Sequence, residues 1–254
     1  MKLPVHRIIP FSNVEGYGNR TSIFVQGCNA NCLYCHNSET IPMTSKDTMQ
    51  YTVEELIEVI KVQIPYIRGI TVSGGEATLY PKFLKELFIE VKKLGLTCYI
   101  DTNGFFDYNK LLPLILETDK FLYDIKGIGK SLDKLCFSDD LLEVNNLTKN
   151  FSKRFGIGNE HLESLDLLLK LDKVEEVRLV YLNSFFDVEV VVDEIYNRLK
   201  SYPKVIFKVI RMHARGLPKE RLKLLKGAIP SLEDFEKVKA LVEKKGFNTL
   251  EFIE

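Results

Sequence analysis

The chain has 254 residues with Lys+Arg and Asp+Glu both at 35, so the formal net charge is zero and the basic excess that nucleic acid or an anionic membrane selects is missing. At 45% apolar and 28% charged, with 16 Phe and 11 Tyr, it carries enough apolar material for a sizeable core and lies far from the composition of a disordered chain. No run of 18 apolar residues occurs and residues 1–7 lack the apolar stretch of a secretory signal, so the reading is a single domain over 1–254, without a membrane span, cytoplasmic, with its five cysteines reduced.

Short β-branched runs alternate with longer amphipathic segments along the whole chain. Strands are predicted at 22–26, 69–73, 97–101, 120–125, 174–181 and 205–211. Helices are predicted at 53–64, behind a Thr52-x-x-Glu55 capping box, at 81–94, with Pro81 in its first turn and Gly95 past its end, and at 108–117. Further helices follow at 161–171, 188–199 and 232–245, the last behind Ser231-x-x-Asp234 and before Gly246, leaving a C-terminal helix and tail over 231–254. Six βα units in a row predict an α/β fold with a parallel sheet, either open and doubly wound or a partial barrel. Both place ligands at the carboxyl ends of the strands.

Polar residues collect at those ends. The first strand runs into a cysteine loop, the second into Ser73-Gly74-Gly75-Glu76, the third into Asp101-Thr102-Asn103-Gly104, the fourth into Asp124-Ile125-Lys126-Gly127 and the sixth into Met212-His213. The loop, Cys28-Asn29-Ala30-Asn31-Cys32-Leu33-Tyr34-Cys35-His36, allows three chemistries: a Cys3His zinc clamp, a dithiol pair at Cys32 and Cys35, or a [4Fe–4S] cluster with one iron left open. Zinc normally draws on two separated knuckles, and no second Cys/His pair lies nearby. Cys98 and Cys136 stand alone and read as inert buried residues.

Cys-x3-Cys-x2-Cys after the first strand and Gly74-Gly75-Glu76 after the second resemble the radical S-adenosylmethionine superfamily. Residues 15–20 and 26–28, Cys35-His36-Asn37, residues 73–77, residues 101–104 and Asp124-Ile125-Lys126 are similar to its pyruvate formate-lyase-activating enzyme branch, which implies a partial (β/α)6 TIM-like barrel. Glu15-Gly16-Tyr17-Gly18 stands where that branch has Asp-Gly-Pro-Gly, and Asn183-Ser184 where it has Pro-Gly. Both departures are expected around the cofactor rim. Five cysteines cannot supply the eight-cysteine ferredoxin insert of longer members.

The resemblance implies one [4Fe–4S] cluster on Cys28, Cys32 and Cys35, with its open iron taking the amine and carboxylate of S-adenosylmethionine. An electron from a flavodoxin- or ferredoxin-type reductant then breaks the C5′–S bond, and the 5′-deoxyadenosyl radical removes the Cα hydrogen of a glycine in a partner glycyl radical enzyme. The same resemblance sets Tyr34 and His36 beside the adenine, Gly74, Gly75 and Glu76 at the methionyl amine, and His213 at the ribose or methionine. It places Asp124, Ile125, Lys126 and Arg178 on the cofactor side, and assigns Asp101, Thr102, the Leu122 carbonyl and Asp124 to a monovalent cation. Taken from the residues alone, the acids and bases of this set also read as ion pairs between neighbouring strands, and His36 as a surface histidine. A monomer is expected. Segment 128–159, with Lys149, Lys153 and Arg154, reads as a solvated insertion within reach of the partner, and the cysteine loop as peripheral to the βα core. Two alternatives stand beside the activase: a small-molecule enzyme of the deazapurine-synthase kind, and a non-enzymatic metal or electron-transfer protein.

Overall fold

The computed structural model describes residues 1–137 and 160–254. Most of the insertion expected to meet a partner, including Lys149, Lys153 and Arg154, lies outside the described residues. Nine strands form one sheet in the order β3-β1-β2-β4-β5-β6-β7-β8-β9. They are β1 (Leu3–Ser12), β2 (Arg20–Val25), β3 (Met49–Tyr51), β4 (Gly69–Gly74), β5 (Thr97–Thr102), β6 (Lys120–Ile125), β7 (Val174–Tyr181), β8 (Ile206–Arg211) and β9 (Leu250–Ile253). From β2 onward along that order every pairing is parallel, whereas β1 runs antiparallel to both β2 and β3. β3 and β9 remain as edges, so the sheet curls without closing: a partial barrel.

The helices are α1 (Val53–Lys61), α2 (Pro81–Lys93), α3 (Tyr108–Glu117), α4 (Lys130–Cys136), α5 (Glu160–Lys170), α6 (Val188–Leu199), α7 (Lys219–Leu224) and α8 (Leu232–Lys245). The capping boxes read from the sequence form at Thr52/Glu55 and Ser231/Asp234, and α8 ends on Gly246 in the left-handed conformation. Alternate strand residues, among them Val72, Ile100, Phe121, Leu179 and Phe207, face outward and pack against Leu84, Leu87, Leu165, Val192 and Phe235 of the helices. The other face of the strands lines the barrel.

All six predicted strands form, and β1, β3 and β9 add to them. β1 escapes the alternation rule because its register shifts twice along β2. The tail beyond α8 is the ninth strand, paired in parallel with β8 from Leu250 to Ile253. Two short helices, α4 and α7, also went unread; with six to seven residues each they carry too little periodicity.

Candidate active site

β2 is buried along its whole length and delivers the chain into the cysteine loop. Gln26 anchors the turn: its side-chain amide donates to the carbonyls of Glu39 (3.0 Å) and Pro42 (2.7 Å), and the Tyr80 hydroxyl donates to its backbone carbonyl. The loop N–H groups of Asn31 and Leu33 donate to the carbonyls of Cys136 (2.8 Å) and Leu135 (2.9 Å), two of the acceptors that the end of α4 would otherwise leave unmade. From the end of β5, Asn103 Nδ2 donates to Asn29 Oδ1 at 2.8 Å, and Asn29 Nδ2 donates to the Phe105 carbonyl at 2.7 Å. Arg221 of α7 reaches in and donates to the carbonyl of Cys32.

The loop is therefore not peripheral. Cys28, Ala30, Cys32, Leu33 and Tyr34 sit in a second apolar cluster with Phe105, Leu132, Leu135, Phe137, Leu182 and Met212. Loops that must bury backbone need partners for every polar group, and this one obtains them from four distant segments. Gly75 shows how tight the assembly is, since a Cβ there would lie 2.1 Å from the Gly27 carbonyl oxygen, at the root of the loop.

Cys28, Cys32 and Cys35 are free thiols, and all three line one cavity of about 190 Å³. Tyr34, His36, Gly74, Gly75, Glu76, Asp101, Thr102, Asp124 and Lys126 line the same cavity, together with Ser73 and Asn103. Residues from four strand ends, spread from Cys28 to Lys126 in the chain, thus converge as the βα rhythm predicts.

Four of the sequence-assigned residues lie elsewhere. Leu122 is fully buried in the barrel and meets the loop at Gly16, while the Ile125 side chain points outward into the helix-facing core. Arg178 spans the interior from β7 to β5, pairing with Asp101 (3.2 Å) and with Glu176 (2.7 Å). His213 is exposed and packs against His36 with ring centroids 4.5 Å apart and planes tilted by 41°, its carbonyl meeting His36 Nε2 at 3.0 Å. Glu15-Gly16-Tyr17-Gly18 is not at the cavity rim either: the Glu15 carbonyl accepts from Thr71, its carboxylate accepts from Ser22, and a Cβ on Gly16 would fall 2.7 Å from the Tyr99 ring.

The cavity is electrostatically organised. Glu76, 1% exposed, accepts hydrogen bonds from the Thr78 amide and hydroxyl, the Thr102 hydroxyl and the Asn103 amide, while burial still raises its pKa. Burial pushes the Asp101 carboxyl up to about 6, against the pull of Arg178, and Ser73 Oγ donates to it at 2.9 Å. Lys126 sits 2.8 Å from Asp124; burial works against its charge, but Asp124 and then Tyr34 outweigh that and raise its pKa. Burial pushes the Cys28 thiol far up and Cys35 up to about 11, whereas a hydrogen bond from the Cys136 thiol lowers Cys32. Cys136 is thus a neighbour of the cysteine loop and not an isolated core residue; Cys98, packed under α2, is one.

Residues 22–155 match the radical SAM superfamily. A Haemophilus influenzae protein whose name places it among the glycyl-radical enzyme activating enzymes is 45% identical over 98% of this chain and 95% of its own length. The chain belongs to the radical SAM superfamily. Within it, the pyruvate formate-lyase-activating enzyme of Clostridium pasteurianum is 30% identical over 80% of this chain and 98% of its own length. Among solved structures, QueE from Escherichia coli matches with a TM-score of 0.53 at 16% identity over 89% of both chains. Streptococcus suis SuiB matches with 0.59 at 13% identity over 89% of this chain and 47% of that one. These low identities speak for the fold.

The protein is accordingly a radical SAM enzyme of the activating-enzyme branch, which removes the reading of a non-enzymatic carrier. Membership implies a [4Fe–4S] cluster and S-adenosylmethionine as cofactors, and the donors present fit the cluster. Three soft thiol donors open into one cavity, the donor type that iron–sulfur clusters take. His36 is turned onto His213, its Nε2 meeting the His213 carbonyl at 3.0 Å, so it is engaged away from the three thiols. No helix among the described residues is long and apolar enough to cross a membrane.

Proposed function

We propose that this radical SAM enzyme activates a partner glycyl radical enzyme by removing the Cα hydrogen of one glycine. The observation that carries the reading is the single cavity shared by Cys28, Cys32 and Cys35 with the strand-end residues Gly74, Gly75, Glu76, Asp101, Asp124 and Lys126. When bound, the cluster and S-adenosylmethionine supply reductive cleavage of the C5′–S bond and so a carbon radical. The three thiols hold the irons. Lys126, kept protonated by Asp124, offers a cation to the cofactor carboxylate, and Tyr34 offers a buried ring to the adenine. Glu76 ties the ends of β4 and β5 together and keeps the Gly74-Gly75 backbone in place at the amine end. Among the described residues, the contacts of Asp101 and Asp124 engage Oδ2 alone, which leaves the other oxygen of each for a monovalent cation with Thr102 and the Leu122 carbonyl. Burial of the loop in its apolar cluster excludes water from the reacting side. A flavodoxin- or ferredoxin-type protein serves as reductant, and the enzyme acts as a monomer that docks the larger partner at the barrel mouth.

The test is anaerobic reconstitution with iron and sulfide, reduction, and addition of S-adenosylmethionine together with a partner carrying α-deuterated glycine. The expected result is a protein-based glycyl radical signal with deuterium in the 5′-deoxyadenosine formed. Cleavage that proceeds without radical or label transfer to any glycyl radical enzyme would overturn the activase reading and favour a small-molecule substrate.

A further inference from the structure

Arg221 is a buried arginine beside the cysteine loop for which the described residues hold no ion-pair partner. It is 4% exposed, although its helix neighbours Lys219 and Lys223 are exposed. Its guanidinium donates to the Cys32 carbonyl at 2.6 Å and to Asn31 Oδ1 at 2.7 Å, both neutral acceptors, and among the described residues no carboxylate lies within ion-pair distance. Arg20, the other buried arginine, also has neutral acceptors but lies on the face of the Tyr99 ring at 3.6 Å, and the half-buried Arg178 pairs with Asp101 and Glu176. A guanidinium taken out of water without an anion is costly.

The cysteine loop has no acid to offer, because residues 21–38 contain no Asp, Glu, Lys or Arg at all. The anions it can present are the thiolates that Cys28, Cys32 and Cys35 become as cluster ligands. Lys126, the cation on the opposite side, is already paired with Asp124 at 2.8 Å. We infer that Arg221 is a positioning residue that pins the middle of the loop through Cys32 and Asn31 and supplies the buried positive charge against which the thiolate-bound cluster is reduced. This rests on the cluster reading above. A thiolate-bound cluster becomes more negative by one charge on reduction, so a fixed cation at the loop favours the reduced form. Arginine suits the task because its fork reaches two acceptors and still carries charge in a dry site.

The test uses the full chain reconstituted anaerobically as wild type, R221K, R221Q and the exposed control K223Q, with iron and sulfide content measured beside the midpoint potential of the cluster. R221Q is expected to shift the reduction equilibrium at least tenfold toward the oxidised cluster, 59 mV for a one-electron couple. R221K, charged but with a single point of attachment, is expected to stay near the wild-type potential and to lose iron faster to a chelator, while K223Q matches the wild type in both. A fully loaded R221Q with an unchanged potential would reduce Arg221 to a loop staple and overturn the proposal. If R221Q fails to load, R221K decides: a lysine that restores loading and potential supports the charge role, and one that does not refutes it. A wild-type chain that binds no four-iron cluster would instead fail the cluster reading itself.

Discussion

Below the Asp101/Arg178 pair the barrel interior is shut. Arg20 lies flat on Tyr99 and donates to Thr71 (2.8 Å), to the Ile70 carbonyl (2.7 Å) and to Thr97, while the turn at Glu15 and Gly16 fills the remaining space against Tyr99 and Leu122. Above the pair the interior opens into the cavity, where buried acids, Lys126 and three free thiols stand around empty volume. The two halves use the same residue types, buried charges on inward strand positions, yet in the lower half side chains and the turn at Glu15 and Gly16 fill the space, whereas in the upper half Glu76, Asp101, Asp124 and Lys126 stand around a cavity.

Four perturbations break or sharpen this contrast. The largest effect is expected from Cys32→Ala in the upper half: complete loss of the cluster and of S-adenosylmethionine cleavage, with helical content retained because the alanine still fills part of its site in the apolar cluster. Iron analysis and 5′-deoxyadenosine formation check it, and wild-type iron would contradict the site. In the lower half, Arg20→Leu removes the donors of several buried acceptors and is expected to cost about 4 kcal/mol in denaturant unfolding while iron per folded chain stays the same. Loss of iron at unchanged stability would show that the two halves are not separable.

Third comes a titration. His161, buried behind the upper half with Nε2 on the Gly127 carbonyl, is pushed down to about 4, first by burial and then by Arg198. Its folded pKa lies below the unfolded value near 6.5, so the folded state holds the neutral ring. That contribution is complete above about pH 6.5 and is lost as pH falls through 4, about 3 kcal/mol in all. His161→Gln, which keeps a donor toward Gly127, should flatten this part of the stability curve; an equally steep curve in the variant would place the proton elsewhere. The smallest effect is expected from Asp124→Ala, which frees Lys126: S-adenosylmethionine binding about tenfold weaker, about 1.4 kcal/mol, at unchanged iron content. Equal affinity in a binding titration would remove Asp124 from the cofactor side.

The strand-end residues were legible because each follows a recognisable β-branched run, and a parallel sheet brings such ends to one side. Ser73 and Asn103 were within reach, each standing inside a strand-end motif. Arg221 had no signal, because in Lys219-Glu220-Arg221-Leu222-Lys223 nothing in the pattern distinguishes the one residue that turns inward. Cys136 is buried as its sequence reading has it, but its contact with Cys32 was not legible, because a distance of over 100 positions says nothing about contact. The Glu15 to Gly18 turn was placed at the rim because it belongs to the family pattern, but its glycine serves a close approach to Tyr99 within the barrel.

By itself the sequence determined the chemistry that is local in the chain: three thiols within eight residues, the caps and turns of the helices, and the order of strands and helices, since spacing and periodicity act over a few residues. Only the tertiary structure decided which charges are paired. Arg20, Arg178 and Arg221 are the same side chain in one dimension; a ring, two carboxylates and an uncharged cysteine loop, each brought up from a distant part of the chain, make the first structural, the second a brace across the barrel and the third a buried donor to the loop.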